Sequence, residues 1–313
     1  MRKATRKFTV TIGIPAYNEG RNIGYLLKSI LRQKQTNYKM EKVIIVSDGT
    51  DNTAEVVRSF LKKYPFIKII ESPNRLGKAT ALNNIYEQSN SDFLMQFDAD
   101  VVLDRDIEID LMMKEMLKDE KADLVGGRFI PVKQNSLMGK FSNISYLIIE
   151  DSFLSLNNGN NIFALVGLAS LIRKRLYKSF SYPKGVISDQ NYLYATATKR
   201  GKDRFQLAKD TRIFIRTVST FKDWRILGAR SVIEDKASVG YFFGKKIIND
   251  YSMPKEIYLR SIFKWFLKNP LNTIGAVIMN IFIRMFPYKK AIVADGMWEL
   301  ASSSKKGIII NKI

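Results

Sequence analysis

Residues 93–102 read FLMQFDADVV. An apolar run ends at Phe97, and two carboxylates follow, Asp98 and Asp100, separated by the small residue Ala99. Paired acids at that spacing suit the holding of a divalent cation by oxygen ligands. Composition narrows the chemistry further. The 313 residues include no histidine and no cysteine. Imidazole is therefore excluded as base or ligand, thiolate as nucleophile or ligand, and disulfides altogether. Proton transfer near neutral pH falls to a carboxylate, a lysine or a tyrosine. A metal site built from this chain takes Mg2+ or Mn2+ rather than zinc.

The acids need elements to position them. Strand-like runs at 8–14, 41–47, 66–71, 92–97 and 123–127 alternate with helical patterns at 20–33, 52–64, 77–89 and 105–120. Such alternation specifies an α/β fold with a mostly parallel sheet and helices on both faces. Continuously apolar strands fit burial on both sides. Ligands of these sheets lie in the crevice at the carboxyl ends of the strands. Asp98 and Asp100 sit at that edge, as do PAYNE (15–19) after the first strand and SDGTDNT (47–53) after the second. One acidic loop is ordinarily a solvated turn or a helix cap. Three on one edge argue for a site.

Several segments, in order, resemble the family 2 glycosyltransferases, inverting enzymes with the GT-A fold, a Rossmann-like sheet. IPAYNE resembles the family's opening nucleotide-binding motif, and VSDGTDNT its acidic second loop, one residue shorter here. NRLGKATALN (74–83) is similar to the segment that follows, and DAD (98–100) to the DxD metal motif. VGLASLIRKRLY (166–177) resembles the strand after the acceptor region, and ISDQNYLYATATKRG (187–201) the segment with the catalytic acid. The resemblance covers roughly residues 8–230 and implies transfer of a sugar from a nucleotide diphosphate. It makes Asp100 and Asp98 the metal ligands for Mg2+ or Mn2+. It gives Pro15, Ala16, Tyr17, Glu19, Asp48, Gly77, Lys78, Asp98 and Ala99 to the nucleotide-sugar, with Asp48 and Glu19 toward base and ribose. Lys78 and Arg75 would lie near the phosphates, and Gly77 would let the backbone approach closely. Lys78 also reads as an ordinary solvated residue of a first helical turn.

Asp189 takes the role of catalytic base by the same resemblance, although Ser188 stands where glutamate is common. Asp189 also suits the N-cap of the following helix; the two readings are compatible. An acceptor already ionised, such as a lipid phosphate, would need no base. FKDWRILGARSV (221–232) lies where processive synthases carry Q-x-x-R-W. Arg230 aligns with the arginine and is assigned to the nucleotide-sugar, a structural surface role being the other reading, but Leu227 replaces glutamine and Ser231 tryptophan, which argues for non-processive transfer.

The net charge of +21 calls for an anionic partner. Residues 255–268 read as a helix with Arg260, Lys264 and Lys268 on one face and Tyr258, Leu259, Ile262, Phe263, Trp265 and Phe266 on the other. An apolar segment at 271–286 follows, bracketed by Pro270 and Pro287 and too short for an ordinary span. Both suit a membrane interface, or a helical subdomain whose basic face is merely solvated. The expected organisation is a catalytic domain over 1–222, with a nucleotide-sugar half at about 8–130 and an acceptor half at about 131–222. A basic helical region over 223–313 would meet an anionic membrane surface. No signal peptide is visible, so the expected location is the cytoplasmic face of the cell membrane, peripheral or re-entrant, with a lipid-linked or glycan acceptor and no nucleic acid partner. The alternatives are a nucleotidyltransferase on a similar fold and a basic nucleic-acid-binding protein.

Overall fold

The structure, a computed structural model, describes residues 7–230, 235–286, 288, 292–294, 297–299 and 301–308. Ser231 and Pro287 lie outside them. In chain order come β1 (Phe8–Ala16), α1 (Ile23–Leu31), β2 (Tyr38–Ser47), α2 (Thr53–Leu61), β3 (Ile67–Glu71), α3 (Lys78–Gln88), β4 (Phe93–Phe97), β5 (Val102–Leu103), α4 (Glu108–Lys118) and β6 (Leu124–Pro131). These are followed by α5 (Leu137–Ser155), β7 (Ala169–Arg173), α6 (Lys174–Tyr177), α7 (Asp189–Thr198), β8 (Phe205–Ile215), α8 (Phe221–Ala229), α9 (Asp235–Phe243), α10 (Lys245–Ile248), α11 (Lys255–Lys268) and α12 (Pro270–Met285).

Eight strands form one sheet in the order β3-β2-β1-β4-β7-β6-β8-β5. Successive residues of β2 explain its unbroken apolar run. Val43 and Ile45 enter the core under α1 and α4, whereas Ile44 and Val46 enter the one under α3 and α7. The parallel order holds from β3 through β4. Beyond β4 it breaks: β7 lies antiparallel to both β4 and β6, and β5 antiparallel to β8, with only β6 and β8 parallel. The sheet is thus parallel in its first half, from β3 through β4, and mixed in its second half. In β8 the alternation is interrupted by a bulge opposite Gly127 and Phe129. Thr211 satisfies it, its Oγ1 accepting from Arg128 N at 2.7 Å.

The sequence periodicity does not announce α5, because this helix is buried on opposite sides. Ile144 and Ile148 face a cluster with Ala276 of α12 and Tyr258, Ile262 and Trp265 of α11. The packing is close: a Cβ on Gly275 would stand 2.3 Å from the Phe141 ring, so only glycine fits there. Asn280 Nδ2 donates to Ser145 Oγ at 2.8 Å. The apolar face expected for 255–268 is therefore two stripes. Tyr258, Ile262 and Trp265 turn inward, while Leu259, Phe263, Phe266 and Leu267 face outward. The basic face is also engaged, since Lys264 pairs with Asp151 of α5.

Candidate active site

The loops at the carboxyl ends of β1 to β4 are tied to one another in sequence order. Asn18 takes a positive φ of 55°, which asparagine tolerates, and its Oδ1 accepts from Thr50 N at 2.8 Å. Glu19 N donates to Thr53 Oγ1 at 2.8 Å, and Gly20 N to Asp51 Oδ2 at 2.9 Å. The PAYNE and SDGTDNT loops thus clasp each other. Asp48 extends the chain to the third loop: its Oδ2 accepts from Leu76 N at 2.7 Å and Gly77 N at 3.1 Å. Gly77 has φ +80°, the region that favours glycine, and this turns the backbone into α3. Arg75 lies over the Tyr17 ring, 4.2 Å from its centre.

Lys78 closes the chain. Its Nζ stands 2.7 Å from Asp98 Oδ1 and 3.0 Å from Asp189 Oδ2. The solvated reading of Lys78 is therefore corrected: one ammonium bridges an acid at the end of β4 and an acid at the start of α7. The cap reading of Asp189 is corrected as well. Ser188 occupies the N-cap, and Asp189 is the first residue of the helix, with its carboxylate turned to Lys78. A carboxylate there is still favoured by the helix dipole. Ser188 Oγ and Gln190 Oε1 are buried without a hydrogen-bond partner among the described residues. Buried polar atoms normally find partners, so this wall has donors and acceptors to spare for a ligand. Arg230, at the end of α8, lies near enough for its charge to oppose that of Lys78.

The electrostatics follow from burial. Burial works to lower the Lys78 pKa, but Asp189 and Asp98 outweigh it and hold the ammonium well above its usual range. Burial pushes Asp98 up to about 6, aided by Asp189 and Asp100 and opposed by Lys78. Glu19 is pushed up to about 7, first by burial and then by Asp100, against Lys305 and Asn22. Asp98 and Glu19, held back first by burial and then by neighbouring carboxylates, therefore resist ionisation, and a divalent cation would relieve that. No cluster of three acid, histidine or cysteine ligands exists among the described residues. The set fits a hard cation that takes its remaining oxygens from phosphate and water.

Glu19 supplies a pH prediction. The folded protein keeps its proton between about 4.5 and about 7, where the unfolded chain has lost it. The unfolded state then binds fewer protons, so the stability from this group declines as pH rises through that window. Melting wild type and Glu19→Gln from about pH 5.5 to about pH 8 should show the wild type losing ground as pH rises. Parallel curves would contradict it.

Sequence pattern pointed to every loop of this edge, yet not to its ties. Asn18 and Thr53 lie inside quoted motifs, but only their spatial neighbours reveal them as ties; Lys305 carries no motif signal.

Residues 11–180 match the family described as Glycosyl transferase family 2. Among curated relatives, a poly-beta-1,6-N-acetyl-D-glucosamine synthase of Staphylococcus epidermidis is 31% identical over 171 residues, covering 54% of this chain and 40% of that protein. The synthase of the same name from Staphylococcus aureus (strain COL) is 33% identical over 138 residues, covering 44% of this chain and 32% of that protein. The chain thus spans well under half the length of these relatives. Among solved structures, a mannosyltransferase from Pyrobaculum calidifontis in complex with GDP-Man and Mn2+ superposes with TM-score 0.61 at 19% identity, covering 91% of this chain and 82% of that one. Glucosyl-3-phosphoglycerate synthase from Mycobacterium tuberculosis, in complex with Mn2+, UDP and glucosyl-3-phosphoglycerate, gives 0.52 at 15%, covering 75% and 79%. A parallel half joined to a mixed second half, with acids at the strand ends, is the GT-A glycosyltransferase architecture. The chain belongs to glycosyl transferase family 2. That membership displaces the nucleotidyltransferase and nucleic-acid-binding alternatives.

Proposed function

We propose that the protein transfers a sugar, with inversion and non-processively, from a UDP- or GDP-linked donor to a lipid-linked or glycan acceptor at the cytoplasmic face of the cell membrane. The observation that carries this reading is the reach of Lys78. Its ammonium contacts Asp98 on the donor side and Asp189 on the acceptor side, so both halves of the reaction lie within one side chain's span.

In this reading Tyr17 and Arg75 flank the base, and Glu19 and Asp48 hold the loops around the ribose. Asp100, with Asp98, would hold the divalent cation, which would supply Lewis-acid neutralisation of the diphosphate leaving group. Lys78 and Arg230 place fixed positive charge beside that diphosphate, where charge grows in the transition state. Asp189 accepts the proton of an attacking hydroxyl. A panel of UDP- and GDP-sugars with Mn2+ tests the reading: the cognate donor should raise the melting temperature. If none does, the donor assignment is lost.

The membrane assignment is supported by the outer face of α11 and α12. Leu259, Phe263, Phe266, Leu271, Ile278 and Met285 are all exposed, a row larger than a soluble monomer ordinarily leaves in water. Arg260, Lys268 and Arg284 are exposed on the same two helices, as anionic headgroups require. No helix among the described residues is long and apolar enough to cross a membrane, so these helices would lie in the interface. The protein should float with vesicles containing anionic lipid, and Phe263→Glu with Ile278→Glu should return it to the soluble fraction. Equal flotation of both proteins would remove this face from the membrane.

A further inference from the structure

Residues 301–308 cross back over the loops at the carboxyl edge of the sheet. Ser303 N donates to Asp223 Oδ2 at 2.8 Å, and Ser219 N donates to Ser303 Oγ at 2.9 Å. Arg216 donates to the carbonyls of Lys306 at 2.9 Å and Gly307 at 3.1 Å. Asn22 Nδ2 donates to the Lys305 carbonyl at 3.1 Å. Gly307 is pressed so closely on the turn after β1 that a Cβ would stand 3.0 Å from the Arg21 carbonyl oxygen. Ile308 is buried. Segments remote from the core stay loose unless tied down, and this one is tied at both its backbone and its side chains.

The segment delivers one functional group. Lys305 Nζ donates to the Tyr17 carbonyl at 3.0 Å and pairs with Glu19 Oε1. Glu19 is 4% exposed, and its other oxygen, Oε2, accepts from Asn22 Nδ2 at 2.8 Å. The lysine therefore holds the two residues of the opening motif that frame the donor. It also cancels the negative charge that Glu19 carries beside Asp100 once ionised, on an edge that must receive a diphosphate. We propose that residues 301–308 form a strap walling the donor pocket, and that Lys305 is a positioning residue for donor binding. This rests on the donor-site reading above. Removing one partner of a buried charge pair leaves the other uncompensated. Without Lys305 the site gains net negative charge, and the turn carrying Tyr17 loses its anchor.

Isothermal titration of UDP and GDP in the presence of Mn2+, on the full chain, tests this. Lys305→Met should weaken the nucleotide by about tenfold or more. Lys305→Arg should recover most of the loss, which a packing role for the stem alone would not give. Glu19→Gln with Lys305→Met should bind no worse than Lys305→Met, because it removes the charge that Lys305→Met strands while the Tyr17 anchor is lost in both. The double variant leaves no unpaired charge, so it also serves if Lys305→Met does not fold. Equal affinity in wild type and Lys305→Met overturns the proposal, as does tighter binding, which would make the strap an obstruction. Failure of Lys305→Arg to recover affinity likewise overturns the charge role. Where Lys305→Met does not fold, a double variant that binds at least tenfold more weakly than Glu19→Gln alone bears the proposal out. A double variant that binds like Glu19→Gln overturns it. Wild type that binds neither nucleotide sinks the donor-site reading itself, and the strap with it.

Discussion

Asp100→Asn loses Mn2+-dependent turnover of the nucleotide-sugar by about 100-fold to 1,000-fold, on the expectation that its carboxylate anchors the cation that stabilises the leaving diphosphate. The substitution keeps side-chain volume and removes only charge, so a fall of that size reports electrostatics rather than packing. A second reading of the same variant is independent of turnover. The Asp100 charge helps push Glu19 up to about 7, so its neutralisation should move the Glu19 titration downward, measurable by NMR of a labelled glutamate. The two outcomes together separate the cases. Turnover lost with Glu19 shifted places Asp100 both on the donor edge and at the cation. Glu19 shifted with turnover intact leaves Asp100 on the edge and transfers the metal role to another group. Titration of Mn2+ into wild type and variant completes the test, since apparent metal affinity should fall with turnover.

The part of this edge that was legible in the sequence is the part that local chemistry controls. Strands buried on both faces must be apolar, so β4 and the inner stretches of β1 and β2 stand out, and the polar residues that end them mark the crevice. Asp98, Asp48 and Glu19 follow from that rule alone. The residues that were not legible are those fixed by distant partners. Lys78, which the family resemblance alone singled out, looks by local pattern like any lysine in a first helical turn. What distinguishes it is that α3 begins at Gly77, that Asp48 holds that turn, and that β7 and α7 bring Asp189 to the same side. Lys305 is more extreme, being separated from Glu19 by most of the chain. α5 was hidden for another reason. Helical periodicity is visible when one face meets water, and α5 has the sheet on one side and α11 and α12 on the other.

The C-terminal helices show the same limit in reverse. A helical wheel puts Tyr258, Ile262 and Trp265 beside Leu259, Phe263 and Phe266, and the pattern reads as one broad apolar face. Only packing divides it, because α5 takes the first set and leaves the second exposed. A face broad enough to satisfy a neighbour and still present an apolar row is what an interfacial helix anchored on a folded enzyme needs.

Asp189→Asn is the substitution that reads the acceptor. With a hydroxyl acceptor, losing the base should lower kcat by about 100-fold to 10,000-fold while nucleotide binding with Mn2+ persists. With an acceptor that arrives as an ionised phosphate, no proton has to be taken, and the rate should stay within about tenfold of wild type. Both acceptor classes can be offered to the same two proteins, so the ratio of losses carries the answer. Two features of the site shape the expectation. Asp189 opens α7, where a negative charge is worth about 0.3–1 kcal/mol against the helix dipole; melting curves must therefore accompany the rates, so that a small loss of stability is not mistaken for a loss of base. Lys78, at 3.0 Å, also occupies this carboxylate. The diphosphate of the donor offers Lys78 a more highly charged partner, so donor binding should release Asp189 to act. Ordered kinetics, with donor before acceptor, is then expected, and Lys78→Met should weaken that order as well as the donor. A hydroxyl acceptor turned over equally well by wild type and Asp189→Asn would remove Asp189 from the chemistry and leave it holding Lys78 in place.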